Sequence, residues 1–302
     1  MYLRMRKHKK WPNVSIVIAT YNRASTLRKV LKAMLKLSYP AKYEIIVVND
    51  GSTDNTKEML EKEFSKEPKI KIINFRKNKG VCKARNAGIK KARYEIVVNM
   101  DHDCIPSKTW LKDLVSGFTS AKIGVVSSYG GFGGTSTAFR KKLLEKVHGY
   151  DEEYRYYRED TDLTFKIMEL GYEYKFVKAD YIHDHVETKP KNLIALARYV
   201  LQRLRYHQND VLLYKKHPNE LTRKFLDIKF GFLVNPMYDF KVATGLWRKN
   251  GKLSLSSPRG IVFIENKTPL HTLAIVLLGI AYVIAVKSAR LIASIKFGKL
   301  LI

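Results

Sequence analysis

Cysteine is nearly absent from this sequence: Cys82 and Cys104 are the only two in 302 residues. Two thiols support neither a disulfide framework nor a cysteine-rich zinc site, so a reducing compartment is expected. The first residues also have little that would make a leader. MYLRMRKHKKW is basic and has no apolar h-region, so no secretory signal is expected. No internal repeat or low-complexity tract stands out. Acidic residues are scarce, with 28 Asp and Glu against 56 Lys and Arg and a formal net charge of +28. Such an excess calls for an anionic partner: nucleic acid, nucleotide phosphates or an anionic membrane face. The basic residues are dispersed, and no helix-turn-helix, zinc or RNA-recognition signature accompanies them. A nucleic-acid partner is therefore not expected.

What is present is a sizeable apolar fraction, 45%, arranged in alternating patterns. Val14–Ala19, Glu44–Asn49, Ile70–Asn74 and Ile96–Met100 are short, β-rich apolar runs that predict four strands. Between them Leu27, Val30, Leu31, Met34 and Leu35 follow helical spacing, as do Met59, Leu60 and Phe64. Gly80 to Ala92 reads as a third helix, and Trp110–Thr119 as a fourth. This order predicts an α/β fold with a mostly parallel sheet flanked by helices. A Gly-rich stretch, Gly130-Gly131-Phe132-Gly133-Gly134, predicts a loop beside the site.

Three polar stretches follow strands and fall on the same predicted sheet edge, where open α/β sheets bind ligands. They are Ala19-Thr20-Tyr21-Asn22-Arg23, Asn49-Asp50-Gly51-Ser52-Thr53-Asp54 and Asp101-His102-Asp103. Carboxylates at i and i+2 repel each other unless a cation lies between them, and hard oxygen ligands suit Mg²⁺ or Mn²⁺. Asp54 serves equally as a cap for the next helix.

With the stretch Asn78-Lys79-Gly80-Val81-Cys82-Lys83-Ala84-Arg85-Asn86-Ala87-Gly88, these motifs resemble the family 2 glycosyltransferases of the GT-A fold. The resemblance covers roughly Pro12 to Thr188. It implies an enzyme, an inverting glycosyltransferase of the hexosyltransferase class, with a nucleotide-sugar donor, UDP-linked by preference. It places Thr20, Tyr21 and Asp50 at the nucleotide, Lys83 and Arg85 at the diphosphate, and Asp101 at ribose or metal. It places Asp103 at Mn²⁺ or Mg²⁺. Within Arg158-Glu159-Asp160-Thr161-Asp162 it makes Asp160 the general base for an acceptor hydroxyl, with Glu159 orienting it or binding acceptor. Acids near a helix N-terminus also cap helices, a reading that suits Asp162. In Tyr181-Ile182-His183-Asp184-His185 one histidine is expected to reach the metal; alternation along an extended chain allows only one, and His183 is favoured over His185. Gly134-Thr135-Ser136-Thr137-Ala138-Phe139-Arg140 and Gly149-Tyr150-Asp151-Glu152 resemble the acceptor-side segment.

These readings divide the chain into a GT-A catalytic domain over 1–190, with a nucleotide-sugar half at about 12–105 and an acceptor half at about 106–190. A basic helical extension follows over 191–268, then an apolar membrane-associating segment over 269–302. Leu270–Val286 is seventeen residues with almost no polarity, the lower limit for a bilayer span. Lys287, Arg290, Lys296 and Lys299 follow among apolar residues, which suggests a membrane segment and then an interfacial basic helix; a buried C-terminal helix is the other reading. The expectation is a chain at the cell membrane with its catalytic domain cytoplasmic and a glycan or lipid-linked acceptor. A polyprenyl-phosphate sugar synthase is the alternative function. There the acceptor is already ionised and needs no base, so the Glu159-Asp160 pair tilts the reading toward a hydroxyl acceptor.

Overall fold

Val14–Thr20 and Tyr43–Asn49 form two strands, β1 and β2, whose side chains are almost all buried on both faces, as the continuous apolar runs require. Between them, helix α1 (Ala24–Met34) turns Leu27, Val30, Leu31 and Met34 inward at i, i+3, i+4 and i+7. The computed structural model describes residues 11–154, 156–184, 192–245, 248–249, 251–257, 260–265 and 268–302. The chain forms two compact units, Met1–Val186 and Glu187–Ile302.

In the first unit the order continues as α2 (Thr56–Glu63), β3 (Ile70–Asn74), α3 (Val81–Lys91), β4 (Ile96–Asn99), β5 (Cys104–Pro106) and α4 (Trp110–Ser116). Then come β6 (Ile123–Ser127), β7 (Thr137–Arg140), α5 (Lys141–Lys146), α6 (Glu159–Glu169), β8 (Glu173–Phe176) and β9 (Tyr181–His183). Seven strands make one sheet in the order β3-β2-β1-β4-β7-β6-β8. The first four are mutually parallel; β7 runs antiparallel to both β4 and β6. The fold is GT-A-like as expected, a mostly parallel sheet flanked by helices. Strands β5 and β9 form a separate antiparallel pair in which Cys104 faces His183. The main core gathers on α1, α2, α4 and one face of the sheet, with Trp110, Leu111 and Leu114 fully enclosed. Each such side chain contributes about 1.5–3 kcal/mol by leaving water. On the other face, α3 approaches β1 closely because Gly88 has no side chain: a Cβ there would lie 2.4 Å from Val17 Cγ1.

The second unit holds α7 (Leu193–Tyr206), α8 (Gln208–Lys216), α9 (Glu220–Phe225), β10 (Ile228–Lys229), β11 (Leu233–Val234) and α10 (Pro236–Ala243). A three-stranded antiparallel sheet follows, β12 (Arg248–Lys249), β13 (Lys252–Ser257) and β14 (Gly260–Ile264), and then α11 (Pro269–Phe297). Pro236 is the first residue of α10, where a missing N–H costs nothing. The expected apolar segment and separate basic helix are one continuous helix. No breaker intervenes after Val286, and the helix stops only at Gly298, in the left-handed conformation at φ 65°. Its start is capped by Thr268, whose hydroxyl accepts from the His271 N–H at 3.1 Å.

Candidate active site

Strand order reverses at β1, with β2 and β3 on one side and β4 on the other, so the carboxyl ends of β1 and β4 open onto one crevice. Thr20 ends β1, and Asp101-His102-Asp103 follows β4. The His102 ring nitrogen Nδ1 lies 3.2 Å from the Ala19 carbonyl, tying the two loops together.

At this edge a buried guanidinium gathers three carboxylates. Arg85, on the first turns of α3, donates from Nη2 to Asp101 at 3.0 Å, and from Nη1 to Glu159 at 3.1 Å and Asp160 at 3.3 Å. Tyr150 adds a fourth side: its hydroxyl donates to Asp160 at 3.1 Å, and its ring lies 5.2 Å from the guanidinium. Three acids against one base in a closed space cannot all ionise without cost. Burial, then the neighbouring Asp160, pushes Glu159 up to about 7. Burial likewise raises Asp160 above the ordinary aspartate range. Burial works against the charge on Arg85, but Asp160, Tyr150 and the other acids hold it well above its usual value. Burial and Asp160 raise the Tyr150 phenol, so it stays a donor. Of the two α6 acids that meet Arg85, Asp160 is the accessible one, with 18% of its side chain exposed against 4% for Glu159. The Gly-rich loop closes on it: a Cβ at Gly133, whose φ is +127°, would lie 2.9 Å from the Asp160 carbonyl.

The second grouping is Asp103, Cys104 and His183, whose ligand atoms lie within 4.8 Å of one another. His183 Nε2 is 3.4 Å from Asp103 Oδ2. The β5–β9 pairing creates this proximity, and the Asp184 N–H donates to the Asp103 carbonyl at 2.7 Å. The carboxylate is a hard ligand that suits Mn²⁺ or Mg²⁺, and a neutral imidazole can add a nitrogen ligand beside it. Cys104 does not fit: it is fully buried, and burial pushes its thiol up to about 12.

Two expected site residues meet partners within the protein. Asp101, expected at ribose or metal, pairs with Arg85. Arg85, expected to neutralise phosphate, is 5% exposed and spends its donors on the three acids. For Asp101 that partner is Arg85 of α3, and for Arg85 it is Asp101 together with Glu159 and Asp160 of α6, 74 and 75 residues away in sequence. Asp50 lies at the edge as expected but is 3% exposed, and its two oxygens accept from the backbone N–H groups of Lys79 at 2.7 Å and Gly80 at 2.9 Å. The loop before α3 is thereby clamped to β2. Tyr21 is 41% exposed beside Thr20, whose buried hydroxyl has no partner among the described residues. Lys83 points to Glu152 at 3.7 Å, half-exposed and apart from the acid cluster. Asp54 caps α2, accepting from the Thr56 N–H at 3.0 Å. Asp162 is held by Lys166 at 2.7 Å. His185 lies outside the described residues.

Sequence reasoning gave no role to Tyr150 or Asn86. Asn86 fixes the loop that carries Tyr150: its amide donates to the Tyr150 carbonyl and its oxygen accepts the Tyr150 N–H, both at 2.8 Å. The signal was available, since both lie in quoted motifs, but their 64-residue separation hid the pairing.

Comparison with known proteins bears on the family and the fold. The family described as Glycosyl transferase family 2 matches residues 15–185. A poly-beta-1,6-N-acetyl-D-glucosamine synthase of Staphylococcus epidermidis is 40% identical over 99 residues, covering 33% of this chain and 24% of that protein. The glycosyltransferase AglE of Haloferax volcanii is 34% identical over 116 residues, 38% of each chain. The matches thus span well under two thirds of these curated relatives. Among solved structures, a mannosyltransferase from Pyrobaculum calidifontis, in complex with GDP-Man and Mn²⁺, shares the fold. Its TM-score is 0.62 at 18% identity, over 94% of this chain and 88% of that one.

Proposed function

The chain belongs to glycosyl transferase family 2, and from that premise we propose that it moves a sugar from a nucleotide sugar to an acceptor hydroxyl with inversion. The observation that carries this reading is Asp160: a partly accessible carboxylate of raised basicity, held by Arg85 and Tyr150 at the rim of the β1/β4 crevice. A sugar hydroxyl is a poor nucleophile until its proton leaves, and a carboxylate above its ordinary range takes that proton better. Arg85 and Tyr150 fix the orientation of the carboxylate, and Glu159 sets its charge environment. With the proton on Asp160, the acceptor oxygen attacks the anomeric carbon from the face opposite the nucleoside diphosphate, in one displacement.

The donor's base and ribose belong at the loop after β1, where Thr20 offers an unpartnered buried hydroxyl and Tyr21 an exposed ring. A UDP-sugar is the first choice. The GDP-Man complex of the Pyrobaculum enzyme makes GDP-sugars the second arm of a donor screen. Asp103 and His183 would hold a divalent ion, Mn²⁺ or Mg²⁺, which supplies counter-charge for the departing diphosphate. The acceptor is a membrane-associated glycan or lipid-linked sugar at the cytoplasmic face. The apolar α11 supports that reading, as does the polysaccharide synthase named among the relatives.

Asp160→Asn tests the proposal, with nucleoside diphosphate release and transfer measured side by side. The amide keeps shape and loses proton affinity, so donor binding survives while transfer falls roughly 10²–10⁴-fold. Transfer at the normal rate would refute the base and favour an already ionised acceptor such as a polyprenyl phosphate.

A further inference from the structure

Helix α11 has two faces, and both are apolar. Inward it presents Ile275, Gly279, Val286, Ala289, Arg290, Ala293 and Ser294, one stripe at spacings of three and four. The outward stripe has the same period. Leu273, Leu277, Leu278, Ile284, Ile292 and Ile295 are each more than half exposed. A helix on the surface of a water-soluble domain turns polar residues outward. This one exposes a row about 33 Å long, taking 1.5 Å per residue, in which Ser288 is the one polar interruption between Leu273 and Ile295.

The inward face decides how that row meets lipid. It is buried at two points of its first half, Ile275 and Gly279, and more closely from Val286 to Ser294. Val276 and Leu253 of β13 both lie against Gly245, where a Cβ would meet them at 3.0 and 3.6 Å. Ala293 joins Val211 and Tyr214 of α8 in a common apolar cluster. Between these points two ion pairs fix the helix: Lys287 to Asp239 of α10 at 2.6 Å, and Arg290 to the fully buried Asp210 of α8 at 2.9 Å. A crossing helix would carry these neighbours to hydrocarbon depth. There the edges of the β12–β13–β14 sheet would leave backbone groups unsatisfied, at several kcal/mol each. No stretch of about 20 residues, the length a span needs, is free of protein on its inner side.

We propose that α11 is a monotopic anchor: it lies in the plane of an anionic lipid surface, with its outward stripe in the acyl boundary and its inward face on its own unit. Charge selects lipid as the occupant. From residue 187 onward the sequence holds 20 Lys and Arg against 6 Asp and Glu. Two of those acids, Asp210 and Asp239, are already neutralised by α11 itself. A second copy of so basic a unit would repel, whereas anionic headgroups attract it within a Debye length. Helix α7 of the same unit adds Leu193 and Ile194, 82% and 66% exposed. The inference deepens the membrane part of the proposal above and rests on that part alone, since vesicle binding reads nothing of sugar transfer.

The test uses the full chain. Purified protein is floated with phosphatidylcholine vesicles, with and without phosphatidylglycerol. Binding is expected with phosphatidylglycerol and is weakened by salt. Leu278→Glu and Ile292→Glu are each expected to lower partitioning on the order of tenfold. Both sites are exposed, so folding, read by circular dichroism, is unchanged. Topology is read separately with Leu270→Cys and Lys299→Cys, which lie outside the outward stripe, labelled by an impermeant maleimide in spheroplasts and inverted vesicles of expressing cells. Native Cys82 and Cys104 are buried and give little background. Both ends reactive on the same side is the expected result; one end on each side would overturn the proposal in favour of a span. A full-length protein that ignores anionic vesicles and sediments as a dimer would overturn it in favour of a second copy.

Discussion

Replacing Glu159 by Gln should make the first unit more stable at neutral and alkaline pH. The carboxyl is 3% exposed, and its Oε2 has no hydrogen-bond partner among the described residues. Its one ion-pair partner, Arg85, is shared with two other acids. The folded protein therefore prefers this group protonated, which burial and the Asp160 charge express as a shift from 4.5 to about 7. The folded value lies above the unfolded one, so the contribution to stability is fully present below about pH 4.5. It is lost as pH rises through about 7. Some two and a half units at 1.36 kcal/mol each give about 3 kcal/mol as the upper size of that loss. At pH 8 the charged Glu159 is a liability of that order, and Gln removes it while keeping the shape. The expected result is a melting temperature raised by roughly 6–12 °C at pH 8, and a difference from wild type that shrinks toward pH 5. Thermal melts across pH 5–8 check it. A Gln variant less stable than wild type at pH 8 would refute the reasoning, because the Arg85–Glu159 bond would then outweigh the desolvation of the carboxylate.

Arg85→Met leaves three acids with no shared cation and should cost roughly 3–5 kcal/mol at neutral pH, less in acid where the carboxylates are protonated; chemical denaturation at two pH values measures this. Asp103→Ala and His183→Ala should each weaken Mn²⁺ binding with the fold intact, read by the free-ion electron paramagnetic resonance signal, while Asp101→Ala should not. EDTA should stop transfer, and Mn²⁺ or Mg²⁺ should restore it. Gly88→Ala places a methyl against Val17 in the β1–α3 contact and should destabilise by about 1–3 kcal/mol, visible as a lower melting temperature.

The parallel half of the fold was legible because a buried parallel strand is a continuous apolar run. Val14–Thr20, Tyr43–Asn49 and Ile70–Asn74 stand out against polar flanks, with ends shifted by a residue at most from the apolar runs. The antiparallel strand β7 was not read as a strand. Thr137–Arg140 is four residues long, follows a Gly-rich loop, and owes its place to pairing with β4 and β6. The β5–β9 pair is shorter still, three residues on each side, so no periodicity marks it, yet it alone brings His183 to Asp103. In α11 the apolar run was plain, but the basic residues after it suggested a break. Arg290 and Lys287 are there to meet Asp210 and Asp239, acids far upstream, and the helix continues through them.

The Asp101-His102-Asp103 triplet shows best where local reading stops. Two carboxylates at i and i+2 seemed to require one cation between them. The fold satisfies each separately, because the chain between them turns into β5. Asp101 takes the guanidinium of Arg85, and Asp103 takes the imidazole of His183. One acid of the triplet therefore lies in the Arg85 cluster and the other beside His183. Arg85 joins Asp101 to Asp160, so a change at Asp101 reaches the proposed proton acceptor through a single shared guanidinium. Substitutions at the two ends of the triplet should then differ in kind: Asp101→Asn should shift the pH profile of transfer by freeing Arg85 for Asp160. That lowers the pKa of the base and moves the acidic limb to lower pH. Asp103→Asn should leave the limb in place and reduce the rate at every pH. Identical profiles for the two variants would mean that the acids act as the single pair the sequence suggested.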